Sequence, residues 1–301
     1  MVSLVIVGSI GLDDVETPFG AVQGALGGAA SYAAYAAAFF VRPGIVSIAG
    51  KDFPDQYREL LMAKGIALEG IAPAEKTFRW TGSYAFDMNE AQTKKTELNA
   101  ILDFQPNVPK SWRAAHYVLL GNIDPELQAQ ALAQFQSPRL VVLDSMNFWI
   151  QGKRKSLLEI IRQVDILVLN DAEARQLFET PNLAKAARKA LLLGPRAVIW
   201  KKGEHGALLF TADSHFSAAG YPLEDIKDPT GCGDTFAGAL IGYMAKHSAG
   251  VDDHVQLRRA MVHASALASF NAEDFSLMRL TRLTPEEISV RVAEFHRMRE
   301  F

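Results

Sequence analysis

The sequence predicts an α/β fold in which a mostly parallel sheet lies between layers of helices, and three observations support this. Short apolar segments with few charges recur as far as residue 210, longer helical patterns separate them, and the pattern becomes helical after about residue 234. Strands that alternate with helices form parallel sheets with helices on both faces. Such strands are buried on both sides and therefore carry few charges.

The expected strands are the short apolar segments, and the expected helices are the longer segments between them. We expect strands at residues 4–7, 45–49, 117–120, 140–143, 166–169, 197–200 and 207–210. We expect helices near residues 26–40, 54–64, 124–135, 151–163, 171–179 and 183–193, and then at 234–246 and 257–269. A last helix begins after Thr284, because Thr284 can cap it, Pro285 suits its first position and Glu287 completes a capping box.

One region interrupts this alternation. Residues 77–87 and 92–102 alternate polar and apolar side chains imperfectly around a polar turn at residues 88–90, which is the pattern of a β-hairpin. We interpret it as a small lid that projects from the sheet edge, and an ordinary peripheral hairpin is the alternative. The expected organisation is a single domain over residues 1–301, with lid segments at about 11–23 and 77–102.

Composition excludes several classes of protein. The formal net charge is −3 and no segment has a marked basic excess, so we expect no nucleic-acid partner. Cys232 is the one cysteine, so no disulfide can form within the chain, which fits a reducing compartment and predicts a cytoplasmic protein. The N-terminal segment lacks the features of a leader, and no apolar run approaches the length of a membrane span.

The segment from Asp228 to Leu240, Asp-Pro-Thr-Gly-Cys-Gly-Asp-Thr-Phe-Ala-Gly-Ala-Leu, carries the strongest chemical signal. Gly231 and Gly233 come just before a strongly helical run. The first turn of a helix has unpaired N–H groups and the positive end of the helix dipole, and glycines let that backbone approach an anion closely. The segment therefore predicts a cradle for a phosphate group.

Asp234 lies at the start of that helix, beside the predicted cradle. A carboxylate there can accept a proton from a hydroxyl group while the cradle stabilises a transferring phosphoryl group. The simpler alternative is that Asp234 caps the helix and the glycines form a turn. Gly238 and Gly242, four residues apart, more simply indicate close packing against another helix.

The longer pattern, Asp-x-Thr-Gly-x-Gly-Asp followed by x-Phe-x-Gly-Ala, resembles the C-terminal signature of the ribokinase-like carbohydrate kinases, the PfkB family. This resemblance extends over most of the chain in the right order. It implies a ribokinase-like three-layer fold and an ATP-dependent kinase that uses Mg²⁺. In that family the position of Asp234 is the general base, and the backbone of Gly231, Cys232 and Gly233 forms the anion hole.

Two N-terminal segments resemble the family's substrate-binding segments. The run from Gly8 to Asp13 is similar to its first strand and turn, where an aspartate binds substrate hydroxyls; Asp13 matches this position and Asp14 is a near alternative. Gly27 and Gly28 resemble the double glycine that closes around the sugar. The resemblance therefore assigns Asp13, Gly27 and Gly28 to substrate binding.

The middle of the chain resembles the family's nucleotide-binding segments. Asn170 and Glu173 match its Asn-x-x-Glu motif, which is associated with magnesium and phosphate positioning, and Glu173 is the candidate metal residue. Taken singly, the same two residues are a helix cap and a first-turn acid. The candidate cofactor-binding residues are Asn170, Glu173, Lys202, Gly203, Gly206 and Thr230.

Departures from the family pattern bear on the substrate. Tyr32 and Gly11 stand where the ribokinase branch has sugar-reading asparagines, which puts ribose itself in doubt. Cys232 stands where alanine is frequent in the family. It is either a reactive thiol activated by the helix N-terminus or a small apolar filler.

Further candidates follow from position alone. Asn122 and Asn147 follow predicted strand ends, where ligands of open α/β sheets bind, and we take Asn147 as a substrate-binding candidate. Asn271 and Asp274 follow a late alanine-rich helix and are candidates to contact the nucleotide or a monovalent cation. The lid aromatics, which could stack on a ligand, are Phe78, Trp80 and Tyr84.

The function expected from the sequence is transfer of the ATP γ-phosphoryl group to a hydroxyl of a small sugar-like molecule. A nucleoside or inositol is the alternative acceptor, and Tyr32 with the lid aromatics would suit a flat ligand. A catalytically silent sugar-binding protein is the alternative of another class, which the presence of Asp234 argues against. A homodimer formed through the lid is a further expectation from the family.

Overall fold

The computed structural model describes residues 2–298 and residue 300. The strands in chain order are β1 Leu4–Val7, β2 Gly11–Thr17, β3 Gly20–Gly27, β4 Pro43–Gly50, β5 Ala67–Ala74, β6 Phe78–Tyr84, β7 Ala91–Glu97, β8 Tyr117–Leu120, β9 Leu140–Asp144, β10 Ile166–Asn170, β11 Ala197–Lys201, β12 Ala207–Thr211 and β13 His215–Ala218. The helices are α1 Ala29–Ala37, α2 Asp55–Ala63, α3 Pro125–Leu132, α4 Asn147–Gly152, α5 Arg154–Ile161, α6 Asp171–Phe178, α7 Leu183–Leu191, α8 Cys232–Lys246, α9 His254–Ala272, α10 Met278–Thr281 and α11 Pro285–Arg297.

Nine strands form the main sheet, in the order β13-β12-β11-β10-β9-β8-β1-β4-β5. All neighbours are parallel except at one edge, where β12 runs antiparallel to both β11 and β13. The predicted mostly parallel sheet is therefore confirmed, as is each of the seven strands expected in it. The edge strands β5 and β13 were not predicted, because their exposed and polar positions remove the continuous apolar signal of a buried strand.

Helices cover both faces of the main sheet, and alternate residues of one strand reach the two different cores. On β1, Leu4 and Ile6 pack into a core with α1, α8 and α9. Val5 and Val7 pack into the opposite core with α5, α6 and α7. Side chains point to opposite faces with a period of two along a strand, so a strand covered on both faces must be apolar at every position.

Small residues allow α8 to lie directly against α1. A Cβ atom added to Gly238 would come within 2.1 Å of the carbonyl oxygen of Ala33, and one added to Gly242 within 2.8 Å of the Cα of Ala37. The prediction that these two glycines mark close helix packing is therefore confirmed. The expected capping box at Thr284 and Glu287 is also present at the start of α11.

A second sheet of four strands has the order β3-β2-β6-β7. Strands β6 and β7 form the antiparallel hairpin that the sequence predicted, although β7 ends at Glu97 and a short 3₁₀ turn, Asn99–Asp103, takes the place of its expected end. Strands β2 and β3 form another hairpin, which pairs in parallel with β6 through β2. Across residues 2–298, no helix is long and apolar enough to span a bilayer.

Candidate active site

Three polar residues end adjacent strands of the main sheet. Asp144 is the last residue of β9, Asn170 of β10 and Lys201 of β11. These strands are parallel, so their carboxyl ends meet at one edge, which is where open α/β sheets bind ligands. The geometry therefore places a cluster of polar groups where a ligand is expected.

The loop before α8, residues 228–231, turns sharply at a glycine. Gly231 has φ +75°, a left-handed conformation that favours glycine, and it is the residue from which α8 starts. A Cβ atom at this position would lie 2.4 Å from the ring of Tyr32. Glycine is therefore required both for the turn and for the space it occupies. The Cys232 N–H at the start of α8 donates to the Pro229 carbonyl oxygen at 3.1 Å, so an anion there would depend on the N–H groups on either side of it, such as that of Gly233.

Buried hydrogen bonds hold this loop in shape. Asp228 is fully buried, and its Oδ1 accepts a hydrogen bond from the backbone N–H of Thr230 at 2.9 Å. Asn271 is also fully buried; its Nδ2 donates to the carbonyl oxygen of Thr230 at 2.8 Å, and its Oδ1 accepts from the Thr235 hydroxyl at 3.3 Å. The sequence placed Asn271 near nucleotide or cation, whereas in the structure its side chain braces the loop.

Asp234 occupies the first turn of α8 and remains partly accessible to solvent. Burial of the carboxyl group and, after it, the charge of Asp144 raise its pKa to about 7. A group with that pKa can be deprotonated at neutral pH and still accept a proton efficiently during a reaction. The electrostatics therefore suit Asp234 to the role of general base that the sequence proposed.

Asp13 and the two glycines of the Gly27-Gly28 pair are brought together. Asp13 is 4% exposed, and a Cβ atom on Gly27 would lie 2.0 Å from its Oδ2. Burial and then the charges of Asp228 and Asp234 raise the pKa of Asp13 to about 8. The Asp14 carboxylate instead accepts a hydrogen bond from the Gly24 backbone at 2.6 Å, so the geometry favours Asp13 of the two acids.

Asn170 and Glu173 form a complete capping box at the start of α6. The Asn170 Oδ1 accepts from the Glu173 N–H at 2.7 Å, and the Glu173 Oε2 accepts from the Asn170 N–H at 2.8 Å. Asn170 and Glu173 therefore do cap α6, which is the role that each residue taken singly suggested. Glu173 is 9% exposed, and burial raises its pKa to about 7, so the same carboxyl group also belongs to the charged cluster.

Lys201 belongs to this cluster, and the sequence reasoning missed it. Its Nζ donates to Asp144 Oδ2 at 2.8 Å, across the end of β10. A Cβ atom on Gly233 would lie 2.9 Å from the same Nζ, so the ammonium group touches the start of α8. The signal in the sequence is a lysine that ends an otherwise apolar strand, next to Lys202 at the start of the turn that contains Gly203 and Gly206.

The turn from Lys202 to Gly206 is held by its own backbone. The Lys202 N–H donates to the Gly206 carbonyl at 2.7 Å, and Gly206, with φ +84°, packs against Ala218. Gly203 is exposed and also has a positive φ, of +54°. Within residues 2–298 and 300, the side chain of Lys202 makes no hydrogen bond or ion pair. Its predicted contact with the nucleotide remains a prediction.

The two asparagines at strand ends differ in their surroundings. Asn122 accepts a hydrogen bond from Trp149 Nε1 at 3.0 Å and donates to the sulfur of Met146. Asn147 is exposed at the start of α4. Asn122 therefore holds the segment after β9 in place, while a substrate contact by Asn147 remains a prediction.

Of the two alternatives for Cys232, a reactive thiol and a small apolar filler, the structure favours the filler. Its Sγ donates to the carbonyl oxygen of Ala268 at 3.4 Å. Burial raises the pKa of the thiol to about 12, well above the range in which a thiolate forms at neutral pH. Cys232 is therefore a small packing residue, and its backbone N–H donates to the carbonyl oxygen of Pro229 at 3.1 Å.

Aromatic residues near the site have different roles. Tyr32 is 2% exposed and packs beneath Gly231, so it does not offer the flat surface to a ligand that the sequence suggested. Tyr84, at the end of β6, accepts a hydrogen bond from the Thr230 hydroxyl at 3.2 Å and so joins the second sheet to the loop. Phe78 packs against Gly11, and Trp80 Nε1 donates to Thr93 within the second sheet.

Carboxylate clusters that could hold a metal by themselves are lacking in the described part of the chain. Asp274 is already engaged, because it pairs with Arg282 at 2.6 Å and with Lys227 at 3.4 Å. A Mg²⁺ ion needs several oxygen ligands and commonly takes most of them from phosphates and water. Glu173 therefore fits a supporting role, with a nucleotide and water supplying the remaining ligands.

The model of the pfkB family of carbohydrate kinases matches residues 9–280, which include the loop, Asp234 and Asp13. The chain belongs to this family. Its relatives include the cytidine kinase of Thermococcus kodakarensis, 29% identical over 83% of this chain and 90% of that protein. The nucleoside kinase of Methanocaldococcus jannaschii is 27% identical over 50% of this chain and 46% of that protein.

Solved structures agree with this fold. The crystal structure of the nucleoside kinase from Methanocaldococcus jannaschii superposes with a TM-score of 0.76 at 20% identity, covering 97% of this chain and 98% of that chain. The ribokinase structure from Giardia lamblia superposes with a TM-score of 0.79, also at 20% identity, covering 96% and 99%. The predicted ribokinase-like fold is confirmed, and the pfkB-family chain is an ATP-dependent phosphotransferase that acts on a hydroxyl group.

Proposed function

We propose that this pfkB-family kinase phosphorylates a sugar hydroxyl with Asp234 as the general base. The observation that carries the proposal is the position of Asp234 in the first turn of α8, with a pKa of about 7, beside the loop that turns at Gly231. Phosphoryl transfer needs an oriented nucleophile and stabilisation of the transferring charge. Asp234 supplies the first need and the N–H groups at the start of α8 supply the second.

In the proposed reaction the acceptor hydroxyl loses its proton to Asp234. Its oxygen forms a bond to the γ-phosphorus of ATP as the bond from that phosphorus to the bridging oxygen of ADP breaks. The backbone N–H groups of Gly231 and Gly233 stabilise charge on the phosphoryl oxygens. The Cys232 N–H, which the sequence also assigned to the anion hole, donates to the Pro229 carbonyl oxygen at 3.1 Å in this structure. Asp13, beside Gly27 and Gly28, accepts hydrogen bonds from other hydroxyls of the substrate and so orients it.

We assign ATP binding to the strand ends and turns of the neighbouring half of the sheet. The residues proposed to contact the nucleotide are Asn170, Glu173, Lys202, Gly203, Gly206 and Thr230. Bound Mg²⁺ would neutralise phosphate charge, and Glu173 would hold it directly or through water. A monovalent cation is a further proposal, for which Asn271 and Asp274 give little support because both are engaged with protein partners; potassium titration of activity tests it.

Two kinds of acceptor share the required chemistry. Free sugars and nucleosides both present sugar hydroxyls, and Asp13 suits either. The cytidine kinase relative, aligned over most of this chain, favours a nucleoside. Because Tyr32 is buried, it cannot stack on the base of a nucleoside. That base would need other contacts, such as those of the lid aromatics.

The second sheet is proposed to act as a lid that excludes water and favours transfer over hydrolysis. Its edge strand β7 is exposed along nearly its whole length, and unpaired strand edges are templates for pairing with another chain. This supports the proposal of a homodimer formed through the lid, which light scattering would test. A cytoplasmic location is proposed on the single cysteine.

The test is an ADP-release assay with Mg-ATP against cytidine, other nucleosides, ribose, fructose and inositol. We expect one acceptor class to stimulate ADP release, and Asp234→Asn to lower kcat by about 10²- to 10⁴-fold while ATP still binds. ADP release that is the same in the variant would remove Asp234 from the role of base. If no acceptor stimulates release yet a sugar raises the Tm, the chain is a sugar-binding protein and the proposed function is wrong.

A further inference from the structure

Lys201 and Asp144 form an ion pair that is largely removed from solvent. Their side chains are 17% and 5% exposed, and the Nζ to Oδ2 distance is 2.8 Å. The pair reaches from β11 to β9 across the end of β10, so it lies at the middle of the sheet's carboxyl edge. Buried ion pairs contribute little net stability, because desolvation offsets their attraction, so stability alone is a weak reason for this one.

The ammonium group of Lys201 is adjacent to the phosphate cradle. A Cβ atom added at position 233 would lie 2.9 Å from Nζ, so the ammonium group lies next to the start of α8. The backbone N–H of Gly233 is one of those assigned to the anion hole. A phosphoryl group held there would therefore lie beside the positive charge of Lys201.

Asp144 holds the side chain of Lys201 in place and uses only one of its N–H donors. Asp144 Oδ1 accepts from the Ser145 N–H at 2.9 Å, and its backbone carbonyl accepts from Gln128 Nε2 at 3.0 Å. Of the three N–H donors on Lys201, one goes to Asp144, and no other hydrogen bond of this ammonium group is found within residues 2–298 and 300. Two donors remain for a ligand.

Electrostatics keep the lysine charged. Burial alone would lower the pKa of Lys201, but the carboxylates of Asp144 and Glu173 outweigh it and raise the pKa above its ordinary value. Together with Asp234, the cluster contains three carboxyl groups and one ammonium group, that of Lys201. An arriving triphosphate adds further negative charge, which makes a fixed positive charge valuable at the transferring group.

We propose that Lys201 donates hydrogen bonds to non-bridging oxygens of the transferring γ-phosphoryl group, and that Asp144 is its positioning residue. This inference rests on the proposed function. As the acceptor oxygen bonds to phosphorus and the bond to ADP breaks, the hydroxyl proton passes to Asp234 and the electron pair leaves with ADP. Lys201 keeps its protons throughout and compensates the charge on the phosphoryl oxygens.

The main variant is chosen so that the Asp144 carboxylate is not left buried without its partner. Lys201→Met alone would strand the Asp144 carboxylate, so the main variant combines Lys201→Met with Asp144→Asn. Asp144→Asn alone keeps the ammonium group but loosens its position. Lys153→Met is the control, since Lys153 pairs with Asp124 at 2.7 Å in a more exposed setting.

Calorimetric titration of ATP and ADP without acceptor is the first measurement. If Lys201 contacts the γ-phosphoryl group, its loss in the double variant should weaken ATP binding roughly 10- to 100-fold and leave ADP binding nearly unchanged. In the transfer assay kcat should fall by about 10²-fold or more while the KM for the acceptor stays constant. Asp144→Asn should lower kcat with little change in ADP binding, and the control should match the wild type.

A merely structural pair gives a different result: ATP and ADP binding change together, or neither changes, and the Tm carries the effect. Either outcome would overturn the assignment of Lys201. The nucleotide titration needs no acceptor, so it decides the question even if the acceptor screen fails. Loss of the proposed function would appear as wild-type protein that releases no ADP with any acceptor, whatever Lys201 does to ATP binding.

Discussion

The two ends of the site differ in how they handle negative charge. At the proposed acceptor end, defined by Asp13 and Asp228, the charges that act most strongly on Asp13 are those of other carboxylates. At the phosphate end, defined by Asp144, Glu173 and Lys201, a buried lysine sits among the acids. The acceptor end is therefore electrostatically incomplete without substrate, whereas the phosphate end already contains its counter-charge.

This difference fits what each end is proposed to bind. Sugar hydroxyls donate hydrogen bonds, so an acid that lacks a protein partner is ready to receive them. A phosphoryl group is itself an anion, and it requires positive charge and N–H donors. The comparison predicts that changes at the acceptor end alter substrate affinity and pH dependence, while changes at the phosphate end alter kcat and the preference for ATP over ADP.

The largest expected effect at the acceptor end comes from Gly27→Ala. The added methyl group would lie 2.0 Å from Asp13 Oδ2 and must displace that carboxylate. We expect the acceptor KM to rise roughly 10- to 100-fold, since a displacement of about 1 Å has such effects, while the ATP Kd stays within a factor of about two. Steady-state kinetics and ATP titration measure the two constants.

Gly152→Ala is the matched control for that variant, because an added Cβ there meets nothing within 4 Å. It should leave both constants unchanged. Weaker ATP binding in Gly27→Ala would contradict the separation of the two ends. An unchanged acceptor KM would remove Asp13 from substrate binding.

The next expected effect is on stability against pH without substrate. The pKa of Asp13 is about 8 when folded and ordinarily 3.8, so between these values the native state holds a proton that the unfolded chain has lost. Stability due to this group is fully present below about pH 4 and is lost as pH rises through 8. Asp13→Asn should therefore raise the free energy of unfolding at pH 8.5, on the order of 1–2 kcal/mol.

Urea unfolding at pH 5 and pH 8.5 measures this slope, with the exposed Asp103→Asn as the control. The Asp13 variant should depend less on pH than the wild type, and the control should follow the wild type. If the free energy of unfolding depended equally on pH in all three proteins, Asp13 would not be a source of that dependence.

The smallest expected effect concerns the contact between the second sheet and the loop. Tyr84→Phe removes the hydroxyl that accepts from Thr230 at 3.2 Å. A single hydrogen bond of this kind contributes about 0.5–1.5 kcal/mol, so we expect a roughly 2- to 10-fold increase in the ratio of ATP hydrolysis to transfer. Tyr117→Phe, whose hydroxyl donates to Ala249 away from the site, should leave the ratio unchanged.

The sequence predicted most of the main sheet because seven of its strands are continuous apolar runs. It did not predict β5 and β13, since edge strands are half exposed and lose that signal. The capping boxes at Asn170 and Thr284 were readable because they depend on residues only three positions apart. Local patterns of this kind need no knowledge of the rest of the chain.

The site was predictable in part. The glycine-rich loop, Asp234 and the pair of Asp13 with Gly27 come from local motifs, and the structure brings them together. Lys201 was missed because its importance depends on Asp144, which is 57 residues earlier in the chain. Tyr32 was given a ligand-stacking role that its burial in the fold removes, and of the two alternatives for Cys232 the structure favours the small packing residue.

By itself, the sequence determined the alternation of strands and helices and the helix caps, and it predicted the phosphate cradle. These depend on hydrophobic period and on residue types at short spacing, which are written directly in the chain. Only the tertiary structure decided which carboxyl groups lie close enough to shift one another's pKa and which lysine is buried among them. It also decided that the Asn271 side chain holds the loop before α8. Charges act through space, and the fold sets their distances and the burial that shifts their pKa values.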